Sequence, residues 1–190
     1  MEKLKELIRL SSRSVIALLL ALGVSAAVGK ASKDELHLTV TMVTGEHSRD
    51  SNSTTTTLTV ERDTLVYEQS RHGAHSGTRK PVKREYKLTS EDRAALTRVL
   101  REKNLLGSKT VSALPLEQGP QSYFSLVIHA RLNRTQAFGE KEHSITISGP
   151  RNGAKLKANQ TYRDSIYLIE QLYKIINRTE PDVSMPQLLN

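Results

Sequence analysis

The stretch ELHLTVTM, residues 35–42, decides the fold because apolar and polar side chains alternate along all of it. Its apolar members are Leu36, Leu38, Val40 and Met42. Successive side chains of a β-strand point to opposite faces of a sheet, so this period of two is typical of a strand with one buried face. The stretch therefore predicts the first strand of a sheet whose two faces differ in polarity.

The same alternation recurs further along the chain, at residues 56–60, 65–67, 85–88, 124–130 and 145–147. Glu61, Arg62 and Asp63 separate the first two of these segments and predict a hairpin. Two stretches show no period, the polar residues 45–55 and the proline-containing residues 107–121. Both predict connections without regular structure.

Two segments have helical spacing. Thr89 and Asp92 form a capping signal ahead of an apolar stripe, which predicts a helix over 90–105 that Gly107 ends. Apolar residues between Tyr162 and Ile176 predict a second helix over 160–177, and Pro181 prevents its continuation.

The predicted element order is β-β-β-β-α-β-β-α, which has too few helices for parallel crossovers between every pair of strands. The expected fold is α+β: a mainly antiparallel sheet of about five to six strands with two helices packed on one face. Residues 35–177 are expected to form a single domain, and residues 178–190 a loose tail.

The N-terminal segment predicts export. Four basic residues precede the uncharged apolar run 15–24, and a step of small residues follows, so residues 1–26 fit a cleavable signal peptide with cleavage after Ala26. Residues 27–34 form a flexible leader in this interpretation. The alternative is a retained anchor, which needs roughly 20 apolar residues. We expect a periplasmic or extracellular protein that meets the membrane only transiently, through its signal peptide.

Composition limits the context and the partners. The 190 residues contain no Cys, which excludes disulfides and a lipid-modified cysteine, and favours a bacterial origin. The net charge of +8 indicates acidic partners. Nucleic acid is an unlikely partner because the chain has no Trp and few aromatic residues for base stacking.

One basic stretch, residues 71–84, is a candidate anion-binding loop because it holds five cationic side chains and no acid. The alternative is an ordinary solvated hairpin loop. The five residues are Arg71, Arg79, Lys80, Lys83 and Arg84.

Metal and catalytic motifs are weak or absent. His72 and His75 are three residues apart, and His47 is a third histidine that the fold can bring near, but no carboxylate or Cys lies beside the pair to complete a zinc site. We therefore predict no metal and no cofactor. The motifs of serine and cysteine hydrolases and of HExxH metalloproteases are missing, so no catalytic residue is assigned and a non-enzymatic protein is expected.

Histidines also occur within predicted strands. His37 and His129 fall on the polar side of the alternation, where they face solvent or a groove of the sheet, and His143 lies at the edge of a strand. A pH-sensitive role requires such residues to be clustered and partly buried.

The segment YKLTSED, residues 86–92, opens a helix that carries Leu96, Val99 and Leu100, and two strands and a closing helix follow. This arrangement, over roughly residues 55–173, is similar to emfourin-type small protein inhibitors of metalloproteases. It equally resembles exported bacterial α+β domains with this element order. The resemblance implies a secreted protease inhibitor, but residues 71–84 and the signal peptide depart from the pattern, so no inhibitory residue is carried over.

The leading functional hypothesis is an exported, non-enzymatic binding module whose partner is a protein or an anionic polymer of the cell envelope. The alternatives are a protease-inhibitor-like domain and a binder of envelope polymers that uses the basic loop.

Overall fold

The computed structural model describes residues 35–46, 52–73, 80–112, 122–133, 143–150 and 154–186. The predicted signal peptide and leader lie outside the described residues. The strands are β1 Glu35–Glu46, β2 Ser53–Glu61, β3 Thr64–His72, β4 Val82–Lys87, β5 Lys109–Ser112, β6 Ser122–Asn133 and β7 His143–Pro150. The helices are α1 Ser90–Glu102, α2 Ala154–Ala158 and α3 Gln160–Asn177.

The strands form one sheet in the order β4-β3-β2-β1-β6-β7-β5. Strand β1 is central, and it pairs antiparallel with β2 on one side and with β6 on the other. Its pairing with β6 runs along the whole strand, from Glu35 opposite Asn133 to Glu46 opposite Ser122. Among the described strands, β5 and β7 pair in parallel. The predicted α+β class and mainly antiparallel sheet are confirmed.

The strand predictions need three corrections. In residues 71–84, which were predicted as a loop, β3 extends to His72 and β4 begins at Val82. The seventh strand, β5, lies in residues 107–121, where no regular structure was predicted. It has only four residues, and its partner β7 is more than thirty positions away in sequence, so the local pattern carries no signal for the pairing. Residues 45–55 were predicted as a loop, yet β1 extends to Glu46 and β2 begins at Ser53, because Gly45 and Ser53 continue the ladder between them.

The core lies on one face of this sheet. Leu38 is opposite Val60 in β2 and opposite Ala130 in β6, and all three side chains are at most 1% exposed. The same register places the other alternate apolar residues of these strands on the core side. A shift of one position would move every side chain of a strand to the opposite face of the sheet. Side chains of α1 and α3 belong to the same buried cluster, among them Leu96, Leu100, Ile169 and Leu172.

Tyrosines join the closing helix to the sheet. Tyr162 packs edge-to-face on Phe124 of β6 with 5.9 Å between ring centroids, and Tyr173 packs in the same way on Tyr67 of β3 at 6.5 Å. Burial raises the pKa of Tyr173, and the neighbouring Tyr67 and Tyr86 add to this effect. The helix α3 therefore contacts strands on both sides of β1 in the sheet, namely β6 and β3.

Helix α1 ends earlier than predicted. It stops at Glu102 rather than at residue 105, because Asn104 adopts a positive φ of 50°. The N–H of Asn104 donates to the carbonyl of Arg101, and the N–H of Leu105 donates to the carbonyl of Leu100. These two hydrogen bonds form a Schellman motif, and Leu105 is buried in the core cluster. Gly107 is not the residue that ends the helix.

A charged clasp joins the start of α1 to the end of α3. Asp92 completes the predicted capping box, since its N–H donates to the Thr89 hydroxyl and its carboxylate accepts from the Thr89 N–H. The same carboxylate accepts two hydrogen bonds from the Arg178 guanidinium, at 3.0 Å and 2.5 Å. Its side chain is only 7% exposed. The hydrogen bonds from Arg178, followed by those from Thr89, outweigh burial and hold the pKa of Asp92 below its ordinary value.

The segment after α3 makes further contacts. Glu180 forms an ion pair with Arg84 of β4, and Val183 is buried in the core cluster. The segment predicted as a loose tail is described as far as residue 186. Within this described part, Arg178 and Glu180 tie it to α1 and to β4.

We predict that Asp92→Asn lowers the free energy of unfolding by about 2 kcal/mol at neutral pH, because it removes a buried charged hydrogen-bond acceptor. A carboxyl group with a lowered folded-state pKa stabilises the fold above its unfolded pKa of about 4, and the contribution is lost as the pH falls through the folded-state value. The difference between variant and wild type should therefore shrink in acid. Urea unfolding at about pH 7 and about pH 3 measures it.

Glu91→Gln is the matched control, because Glu91 lies in the same first turn but is exposed. Its expected effect is about 0.5 kcal/mol or less, through the helix dipole alone. Equal losses in the two variants, or a loss in Asp92→Asn that persists unchanged in acid, would contradict the clasp.

Candidate ligand-binding face

The side of the sheet opposite the core is rich in hydroxyl groups, and we call it the polar face. It is formed by the residues that alternate with the buried ones, so β-branched threonines satisfy the strand while presenting a hydroxyl. The threonines and serines in the middle of this face all have intermediate exposure. They are Thr39 and Thr41 of β1, Thr55, Thr57 and Thr59 of β2, Ser125 of β6, and Thr146 and Ser148 of β7.

Strand pairing arranges these residues in rows. Thr41 is opposite Thr57 in β2 and opposite Val127 in β6, and Thr39 is opposite Thr59 and His129 in the same strands. Directly opposed side chains are about 5 Å apart at their Cβ atoms. The polar face therefore presents hydroxyl groups at regular spacing across the middle of the sheet.

A groove lies at one end of the polar face, with a volume of about 180 Å³. Its lining combines two imidazoles, one guanidinium and one hydroxyl: His37, Thr39, His129 and Arg131, with Ala130 between the last two. Strands β1 and β6 supply these residues, since His37 is opposite Arg131 and Thr39 is opposite His129. The groove therefore exists because β1 and β6 pair in this register.

Acidic residues border the groove on one side. Oε1 of Glu35 lies 3.8 Å from Nε2 of His37, and Glu61 of β2 is directly opposite His37 in the ladder. The side chain of His37 is 27% exposed, and His129 is exposed. His37 thus has the clustering and the partial burial that a pH-sensitive role requires, whereas the exposed His129 has the clustering without the burial. His143 differs, because it is opposite the buried Ala130 and therefore falls on the core side of β7.

At the far end of the same strand, an aromatic ring covers a glycine. A Cβ atom added to Gly45 would lie 2.6 Å from ring atoms of Tyr123, its partner in β6. The close approach of ring and backbone requires glycine here. His37 and Gly45 are eight residues apart, or about 26 Å along the strand at ~3.3 Å per residue. Groove and ring therefore lie at opposite ends of a long polar surface.

The structure describes four of the five residues of the candidate anion-binding loop. Arg71 belongs to β3, while Lys83 and Arg84 belong to β4 and so point to opposite faces of the sheet. Nζ of Lys83 is 3.4 Å from Glu85, and Arg84 is paired with Glu180. Arg71 and Lys80 are exposed, and Arg79 lies outside the described residues.

Of the three histidines considered for a metal site, the structure describes His72. His72 is exposed, and its Nε2 lies 3.1 Å from the Ser70 hydroxyl. His47 and His75 lie outside the described residues. Across residues 35–46, 52–73, 80–112, 122–133, 143–150 and 154–186 there is no cluster of three or more His, Asp or Glu side chains suited to a metal ion.

His37 and His129 lie on the polar side of their strands and line a groove of the sheet, which is one of the two settings predicted for them, but Arg131 was not predicted to join them. The signal that was available is the alternation itself, because Arg131 continues the spacing of His129 by two positions. What the pattern lacks is the register between β1 and β6, which decides which residues become neighbours.

Comparison with known proteins does not assign the chain to a family. No model of a protein family matches the chain, and no curated protein matches it. Within the described residues, none of the helices has the length and hydropathy that crossing a bilayer requires.

We predict that Gly45→Ala lowers the free energy of unfolding by about 1 to 3 kcal/mol, because the added methyl group displaces the Tyr123 ring. Gly107→Ala is the control, since nothing lies within 4 Å of the position of its Cβ. That change is expected to be neutral or to stabilise by about 0.5 kcal/mol, through the unfolded chain. Urea unfolding of both variants tests the pair, and a neutral Gly45→Ala would contradict the contact.

Proposed function

We propose that this protein is an exported, non-enzymatic binding module that holds an acidic glycan of the cell envelope along its polar face. The observation that carries the proposal is the combination of hydroxyl rows with a cation-bearing groove at one end. Threonine hydroxyls both donate and accept hydrogen bonds, as sugar hydroxyls do. The groove supplies the donors that an acidic substituent of a glycan needs.

The dimensions of the face support an extended ligand. About 26 Å of β1 separates the groove from the Tyr123 ring, and the hydroxyl rows lie between them. The Tyr123 ring covers the backbone of Gly45 and has intermediate exposure. A polymer placed along β1 meets the groove, the hydroxyl rows and the ring in turn. Fixed positive charge on this face is sparse, so binding by charge alone is not the mode we propose.

The export part of the proposal rests on the predicted signal peptide, residues 1–26. We expect the mature protein to begin at Ala27 when the full chain is expressed in a bacterium with a secretion pathway. N-terminal sequencing of the protein from the periplasm or medium measures this. A product in that fraction that still carries Met1 would contradict cleavage, and a product confined to the cytoplasm would contradict export.

The binding part is tested with a matched pair of ligands, dextran sulfate and uncharged dextran, in affinity gel electrophoresis. We expect dextran sulfate to retard the protein more strongly than dextran does. Thr57→Arg, in the middle of the polar face, should reduce the retardation at least about fivefold, because a bulky side chain blocks the hydroxyl rows. The added positive charge alone would have the opposite effect.

Thr97→Arg is the control for this experiment, because it makes the same change on helix α1, away from the polar face. It should leave retardation unchanged or raise it slightly. If Thr57→Arg and Thr97→Arg both strengthen retardation, binding depends on charge alone, and the polar face is not the site.

The basic loop remains the alternative site, and its described members, Arg71, Lys80, Lys83 and Arg84, are all exposed, the last two in ion pairs with Glu85 and Glu180. The combined variant Arg71→Ser and Lys80→Ser separates the two proposals in the same gels. Loss of retardation in this variant together with normal behaviour of Thr57→Arg would favour the loop.

The protease-inhibitor hypothesis rests on resemblance alone and stays a prediction. The helix start on which the resemblance depends has a structural use in this protein, because Thr89 caps α1 and Asp92 binds Arg178. The contacts of these residues therefore give no support for an inhibitory role.

A further inference from the structure

We propose that the groove between β1 and β6 binds a tetrahedral oxyanion, the sulfate or phosphate ester of a polymer, and that it does so more tightly in acid. This inference rests on the proposed function, because it names the chemical group that the same face recognises. The groove residues that interact with the oxyanion are His37, Thr39, His129 and Arg131.

The number and kind of donors favour a tetrahedral group. Arg131 has a guanidinium with several N–H donors in a fixed plane, His37 and His129 each have a ring N–H, and Thr39 has a hydroxyl. His37 is opposite Arg131 and Thr39 is opposite His129, so the four side chains occupy two adjacent rows on two neighbouring strands. A sulfate or phosphate ester presents three terminal oxygens to such donors, whereas a carboxylate presents two.

The size of the groove fits one such group. Its volume of about 180 Å³ exceeds the ~30 Å³ share of one water molecule and is below the ~300 Å³ at which sites for drug-sized ligands begin. The groove therefore accepts a single substituent, while the polymer that carries it extends over the hydroxyl rows.

The charge of the groove determines how its affinity for an oxyanion depends on pH. Among the described residues, the charged and titratable groups that face the two histidines are Glu35 on β1, Glu61 on β2 and Arg131 on β6, and on the β7 side His129 faces the neutral Ser144. With neutral imidazoles, the one guanidinium and two carboxylates described around the groove sum to a charge of −1, and two imidazolium groups change this sum to +1. Imidazoles gain charge as the pH falls through about 6.5. The groove thus changes from mildly repelling an anion to attracting it.

Arg131 and His129 have interactions of their own within the protein. A bound oxyanion therefore shares or replaces some of these contacts, which sets a moderate affinity. This is suited to a repeating polymer, in which many weakly bound substituents act together.

The test uses the full mature protein and sodium sulfate as the probe, followed by the backbone amide signals in NMR titrations. Sulfate remains a dianion throughout the range, so any pH effect belongs to the protein. Between about pH 8 and about pH 5.5, we expect the sulfate affinity to rise about tenfold. The largest signal changes should occur at residues 37–39 and 129–131. Acetate and chloride at equal ionic strength should bind at least about fivefold more weakly.

Two variants assign the roles. Arg131→Gln should weaken sulfate binding at least about fivefold at every pH, because it removes the permanent charge. The combined variant His37→Gln and His129→Gln should remove the pH dependence and leave sulfate binding at the weaker level that we expect for the wild type at about pH 8. Arg98→Gln is the matched control on the exposed side of α1, and it should have no effect.

Sulfate that binds no better than chloride, or signal changes outside the groove, would overturn the inference. A pH effect that survives the double histidine variant would overturn its mechanism. These outcomes are separable from the dextran sulfate experiment. If retardation depends on Thr57 but sulfate does not bind in the groove, the glycan-binding proposal stands and the groove inference fails. If sulfate binds in the groove but retardation does not depend on Thr57, the glycan-binding proposal fails and the groove remains an anion site.

Discussion

The whole structure depends on the pairing of one strand, β1, with a partner on each side. It is paired with β6 along its entire length and with β2 along most of it, so its alternation sets the two faces of its neighbours as well. The alternate apolar residues of β1 are at most 2% exposed, and the residues between them keep intermediate exposure; the buried residues are Leu36, Leu38, Val40 and Met42. A shift of one residue in either pairing would place threonines in the core and leucines in water. The same register creates the core and the polar face together.

Hydrophobic burial supplies the stability of this arrangement, and polar contacts fix its geometry. Helices α1 and α3 close the core, while the Asp92 carboxylate joins the positive end of one helix dipole to a guanidinium at the negative end of the other. Because this carboxylate is nearly buried, its hydrogen bonds cannot be replaced by water without cost. The clasp therefore limits how the two helices move relative to each other.

The polar face is rich in hydroxyl groups because threonine serves two purposes in a strand. Threonine has a high preference for strands and a hydroxyl group, so rows of it stabilise the sheet while the hydroxyl groups stay partly exposed. At the end where β1 and β6 carry histidine and arginine instead, the face gains a groove with titratable donors. A surface that forms for structural reasons thus contains a local site with different chemistry.

The sequence by itself determined the α+β class, the hairpin at Arg62 and Asp63, the capping box at Thr89 and the span of α3, because each depends on side chains that are close in sequence. It also placed His37 and His129 on the polar side of their strands. Only the tertiary structure decided that β5 pairs with β7, that Asp92 meets Arg178 and that His37 lies beside Arg131. Each of these contacts joins residues more than thirty positions apart. Local periodicity fixes which face a side chain occupies, but the register between distant strands selects its neighbour, and the groove depends on that register.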